Sequence, residues 1–204
     1  LQFAICIVLS IWLTTSNSDT KKPFTLSIMD GKDTISEPSF DMVAKLLIAF
    51  TSITGVFHAL YASNGRFYSD AVDRGNNWLR WIEYSITATI MIVAISFLSA
   101  VENVDALVLV AVCSVATMLL GQVVEQAMLS RNRGIASSAT MIGWLLLVGA
   151  FAVIVRNFFV AVNDENEPKP PGIVNVIVFV MFALFSSFGI IQYVRTVRPR
   201  EVPT

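Results

Sequence analysis

Charge is what this sequence has least of. Only 14% of its 204 residues are Asp, Glu, Lys or Arg, against 55% hydrophobic residues, and the mean hydropathy is +0.68. A water-soluble domain carries about 25% charged residues, so a free-standing soluble fold is excluded and the lipid bilayer is the expected environment. The balance of charges is also nearly neutral, at −1, which argues against nucleic acid as a partner. There is one histidine and there are two cysteines. Cys6 and Cys113 both sit in apolar runs and are expected to be buried small side chains without redox work. One histidine and scattered carboxylates give no clustered ligand spacing, so no metal site is expected. No nucleophile elbow, phosphate loop or glycine-rich dinucleotide motif follows a strand pattern, so hydrolysis and phosphoryl transfer lack support and no enzyme activity is expected.

What is present is apolar length. A helix that spans the bilayer needs about 20 mostly apolar residues. Five segments qualify, about 39–62, 78–100, 105–129, 137–161 and 172–195. Residues 1–15, which lack a basic leader and a cleavage site, predict the outer part of a further spanning helix. The fold class is therefore an all-α polytopic membrane protein with six transmembrane helices in a single domain. Turn signals punctuate the segments: Asn64-Gly65, Glu102 to Asp105, Arg131 to Gly134, and Pro168 to Gly172. The loop at 16–38 is long. In it Thr25 to Met29 alternates, Asp30-Gly31 signals a turn and Thr34-Ile35-Ser36 can return, so a β-hairpin outside the membrane is expected there.

Loop charge sets the orientation. One side carries Arg66, Arg74, Arg80, Arg131, Arg133, Arg195, Arg198 and Arg200. The other carries Lys21, Lys22, Lys32, Lys45, Arg156 and Lys169. The short loops decide the bias, and the positive-inside rule then predicts a cytoplasmic N-terminus and tail with an extracellular first loop.

Arg80-Trp81-Ile82-Glu83-Tyr84-Ser85 places a carboxylate at the start of a spanning segment. A charge at bilayer depth costs roughly 2.5–3.5 kcal/mol on insertion scales, so it calls for a partner. Alternating topology brings His58, Glu83 and Glu125 to one layer in the cytoplasmic half. Each lies on a polar stripe at helical spacing: Thr51, Thr54, His58 and Tyr61; Arg80, Glu83 and Thr87; Ser114, Thr117, Gly121, Gln122 and Glu125. Such stripes face the interior of a bundle. Simpler readings stand beside a functional one. Arg80 and Glu83, at i and i+3, can pair with each other. Glu125 can pair with Arg131 or Arg133, and His58 can be a structural hydrogen-bonding residue. Phe182 and Phe185 can wall a slot for a long apolar ligand or simply pack.

A spanning helix that begins Arg-x-x-carboxylate resembles the microbial-type rhodopsins, and the finer pattern resembles the heliorhodopsins. It is carried by Arg80 to Ser85, by His58 and Tyr61, by Gly121-Gln122-Val123-Val124-Glu125, and by Phe182, Phe185, Phe188, Gln192 and Tyr193. The resemblance implies a seven-helix bundle that binds all-trans retinal as a protonated Schiff base on a lysine of a seventh helix. It gives Glu83 the counterion position, and His58 a place beside it for handling a proton. Asn77, Arg80 and Tyr84 match polar cavity positions. Met91, Phe182 and Phe185 match the retinal pocket. It also implies a homodimer, for which Gly143, Gly149 and Ala150 permit close packing, and an unidentified cytoplasmic signalling partner.

The sequence departs from the pattern in places. None of its lysines suits the Schiff base, which is read as lying beyond Thr204. A helix-one histidine would precede Leu1, and Ile191-Gln192 stands where the family tends to have Asn-Gln. A fragment of a light receptor is the expectation. A proton or ion transporter using the same polar layer, and a structural membrane protein without a ligand, are the alternatives.

Overall fold

Three asparagines and three left-handed residues set where the helices of this chain begin and end. The computed structural model describes residues 28–30, 33–36, 40–163 and 173–197. Its helices are α1 (Phe40–Ser63), α2 (Gly65–Asp73), α3 (Trp78–Leu98), α4 (Val104–Leu129), α5 (Arg133–Asn163) and α6 (Ile173–Val197). Asn77 caps α3 by accepting from the Arg80 amide at 3.3 Å, and Asn103 caps α4 by accepting from the Ala106 amide at 2.9 Å. Asn132 does the same for α5 through Ile135, at 3.2 Å. Each cap satisfies an amide that the first helical turn leaves without a partner.

The preceding helix ends follow one rule. After α2, Asn76 N–H bonds Ala71 and Gly75 N–H bonds Val72, with Gly75 at φ 67°. The same paired bonds close α3 around Ala100 (φ 55°) and α4 around Arg131 (φ 56°). A left-handed residue that lets two amides fold back onto the last turn is the Schellman arrangement. Glycine supplies it once and side-chain-bearing residues supply it twice.

Five helices, all but α2, are long and apolar enough to cross a membrane. At 1.5 Å per residue, the 24 residues of α1 reach about 36 Å, enough for a hydrocarbon core of about 30 Å. Short connections make consecutive helices neighbours, and α1, α3, α4, α5 and α6 pack in that succession, with α3 and α4 also touching α6. One apolar core joins Ala88, Ile92 and Ile95 of α3 to Val110 of α4, Leu147, Phe151 and Ile154 of α5, and Val174, Val178 and Phe185 of α6. A second joins Val43 of α1 to Phe97 and Val101 at the end of α3.

Before α1, β1 (Ile28–Asp30) pairs antiparallel with β2 (Asp33–Ser36), Asp30 opposite Asp33, with an irregularity between Ile28 and Met29. The helix expected at 1–15 lies outside the described residues, as do Lys21, Lys22, Lys32 and Lys169.

One expectation changes, and the small residues of α5 take different surroundings. Hydropathy reads 63–77 as a connector, whereas nine of its residues form α2; hydropathy detects length of apolar run, and α2 is short and amphipathic. Gly143, Gly149 and Ala150 do not make one free face. Gly143 is buried against Thr117 and Leu120 of α4 and Ala150 lies in the core, so only Gly149 is open.

Candidate functional site

The polar stripes sort into two kinds of side chain. Most hydroxyls close onto their own helix. Thr51 bonds the Leu47 carbonyl at 3.0 Å, Thr87 that of Glu83 at 2.9 Å and Thr117 that of Cys113 at 2.8 Å. A hydroxyl that bonds the carbonyl four residues back spends its donor largely on its own helix, although Thr117 Oγ1 also lies 3.5 Å from the Gly143 carbonyl of α5. His58, Tyr61, Arg80, Trp81, Glu83, Gln122 and Glu125 reach across.

Glu83 is 4% exposed. Tyr61 of α1 donates its hydroxyl proton to Glu83 Oε2 at 2.7 Å. His58 Nδ1 stands 3.9 Å from Oε1 and 2.8 Å from the Thr54 carbonyl oxygen. A carbonyl only accepts, so Nδ1 carries the proton in that bond. In the neutral ring Nε2 then keeps its lone pair, and a proton arriving there makes a cation beside Glu83.

Arg80 turns away from Glu83. Its Nη2 forms an ion pair with Glu125 Oε1 of α4, and the Trp81 indole donates to Glu125 Oε2 at 2.8 Å. The Arg80 guanidinium also lies 5.1 Å from the Trp81 ring centre, at cation–π distance. Gln122, one turn before Glu125, donates to Asn76 at 2.9 Å. Neither of the simple pairings that the sequence allows is formed. Arg80 pairs with Glu125 instead of Glu83, and Glu125 pairs with Arg80 instead of Arg131 or Arg133. Sequence spacing finds partners on one helix; the pairing partner here is on the next one.

His58, Glu83 and Glu125 therefore fall into two clusters, one joining α3 to α1 and the other joining α3 to α4. Asn77 is 5% exposed, and among the described residues its Nδ2 has no partner; nor do Arg80 Nε, Gln122 Oε1 or Thr54 Oγ1. Buried polar atoms of this kind are ordinarily met by water. Tyr84 packs edge-on to Trp81, ring centres 6.2 Å apart.

Trp81 and Asn76 are the partners that the stripes miss. Trp81 follows Arg80 directly, and adjacent helical residues point about 100° apart, so a shared target is not expected from spacing. Gly121 is the one available signal. The Trp81 ring occupies the place where a Cβ on Gly121 would sit, closer than side chains tolerate. Gly121→Ala should therefore destabilise the protein by about 1–3 kcal/mol, although alanine is the better helix former by about 1 kcal/mol. Thermal unfolding in detergent reads the sign.

Farther along α3, Met91 packs against the apolar core. Phe151 of α5 meets Phe182 and Phe185 of α6 edge-on, with centres 5.1 and 5.7 Å apart. Phe185 is buried and Phe182 is 38% exposed. Trp144 of α5 lies against Gly189, its indole 2.7 Å from where a Cβ would be. Met91, two turns beyond Glu83, and the buried Phe151 and Phe185 thus belong to one apolar cluster.

A bundle of apolar helices that buries one carboxylate among a tyrosine and a histidine is an integral, multi-pass membrane protein with an internal polar site. The heliorhodopsin sequence model matches residues 2–199. The chain belongs to the heliorhodopsin family, which makes it a rhodopsin-type, retinal-binding light receptor of the membrane. A search of curated proteins finds no match.

Proposed function

We propose that Glu83 is the counterion of a protonated retinal Schiff base, that His58 takes up a proton released near it, and that this end of the bundle faces the cytoplasm. The observation that carries the reading is the division of charge around α3. Glu83 is buried, and Arg80, the arginine one turn away, is taken by Glu125. Among the described residues, its charged neighbour within 4 Å is His58, and only when His58 is protonated. A buried anion requires a compensating cation, and a Schiff-base cation supplies one. Retinal, when bound, contributes a light-isomerisable polyene whose protonated nitrogen changes position on isomerisation.

The residues of this chain do the rest. Tyr61 fixes one oxygen of Glu83 and leaves the other toward His58. The Thr54 carbonyl holds the His58 ring with Nε2 as its basic atom. Met91, Phe182 and Phe185, with Phe151 behind them, offer an apolar wall suited to a polyene. Lys45, the lysine on a described helix, is exposed and lies 16 residues, about 24 Å, before Tyr61. It does not suit the Schiff base.

The test is a spectrum. The full-length protein expressed with all-trans retinal should develop a visible band, and illumination of the cells should leave external pH unchanged with or without a protonophore. No band would end the receptor reading. A light-driven pH change abolished by the protonophore would instead make the His58–Glu83 layer a transport path.

A further inference from the structure

Among the described residues, the helix that hydropathy misses leaves most of its apolar side uncovered. In α2, Phe67, Tyr68, Ala71 and Val72 recur at i, i+1, i+4 and i+5 and share one face. Arg66, Ser69, Asp70 and Asp73 take the other. No residue of α2 is buried, and Phe67 and Val72 are 50% and 49% exposed.

We propose that α2 lies in the plane of the membrane surface, with Phe67, Ala71 and Val72 inserted at the boundary between headgroups and acyl chains. The lipid bilayer is the occupant that the connectivity provides. One residue, Asn64, separates α2 from the spanning helix α1, and four residues separate it from α3. A helix so tethered starts and ends at the bilayer surface. Its apolar face also continues surfaces that meet lipid. Phe67 and Ala71 share with Trp78, at the start of α3, a cleft whose polar rim is Asp70, Arg74 and Asn76. Trp78 is 48% exposed and is followed along α3 by exposed Ile82 and Ile86. Tryptophan at the end of a spanning helix is a headgroup-level anchor.

Two contacts fix the roll of α2. The Tyr68 ring packs at a tilt against Tyr61 of α1, 4.9 Å between centres. The Schellman turn at Gly75 delivers the chain straight to the Asn77 cap of α3. The polar face carries two arginines and two aspartates once Arg74 at the end is included, with Arg74 3.8 Å from Asp70. With no net charge, insertion rests on apolar area and not on attraction to anionic lipid.

The experiment places a nitroxide at each position of the helix in turn. In a Cys6→Ser, Cys113→Ser background, single Arg66→Cys, Phe67→Cys, Asp70→Cys, Ala71→Cys, Val72→Cys and Asp73→Cys variants are labelled. The protein is held in phosphatidylcholine nanodiscs. Collision with oxygen, which partitions into lipid, is compared with collision with a water-soluble nickel chelate. The oxygen-to-nickel ratio at 67, 71 and 72 should exceed that at 66, 70 and 73 by about threefold or more. It should be unchanged by added salt or by phosphatidylserine. High nickel access at 67 and 72 would overturn the proposal in favour of a hydrated connector. Exclusion of both reagents there would overturn it in favour of a protein surface, such as a second copy. Dependence on phosphatidylserine would overturn the apolar mode of insertion. None of these outcomes depends on retinal.

Discussion

Glu83→Gln should move the alkaline loss of the visible band of the retinal-loaded protein to a pH about 1–3 units lower. The argument is one of charge at nearly constant shape. Glutamine keeps the volume of the side chain, and its carbonyl oxygen can still accept the Tyr61 hydroxyl proton now given to Oε2 at 2.7 Å. What disappears is the negative charge. An opposite charge within about 4–6 Å shifts a titration by about 1–3 units, and each unit is worth about 1.4 kcal/mol. The visible band belongs to the protonated Schiff base, so its loss on raising the pH should move down by that amount. The measurement is a spectral titration of both proteins in the same lipid. A midpoint that stays where it was removes Glu83 as counterion and leaves it a structural carboxylate held by Tyr61.

How far the sequence foretells this site depends on which physical rule each part obeys. Spanning segments follow from apolar length, which is a local property, and the segment at 78–100 comes out as α3, Trp78–Leu98. Glu83, His58 and Tyr61 stand out because polar side chains at helical spacing on an apolar helix must face inward, and the structure brings these three together. The start of α5 four residues before the expected 137 escapes the same reasoning. Its first turn is set by the Asn132 cap and not by apolar residues. The partner of Arg80 escapes it for another reason. Helical spacing favours Glu83 at i+3, but the choice between that carboxylate and Glu125 rests on how closely α3 and α4 approach. That approach is set by Gly121 giving way to the Trp81 ring, a contact between residues forty positions apart. Aromatic pairing of Phe151 with Phe182 and Phe185 is likewise a product of packing.

Arg80→Ala should cost about 3 kcal/mol of stability and yet leave the titration of the visible band close to that of the parent protein. The first half follows from what is stranded. Breaking a buried ion pair by removing one partner costs about 3–5 kcal/mol, because the remaining charge stays desolvated. The low end applies here because the Arg80 side chain is 32% exposed, while Glu125, the group left behind, is 13% exposed and, among the described residues, keeps the Trp81 indole as its donor. Removing both charges together, as in Arg80→Met with Glu125→Met, should cost less than Arg80→Ala alone, since no uncompensated carboxylate remains. Unfolding of the single and double variants in one detergent measures the coupling. The second half follows from geometry. Arg80 is committed to α4, and Glu83 to α1 through Tyr61 and His58, so the two carboxylates are held by separate sets of partners. If Arg80→Ala displaces the titration of the visible band as far as Glu83→Gln does, Arg80 compensates Glu83 in the working protein, and the separation of the two sets of partners does not hold.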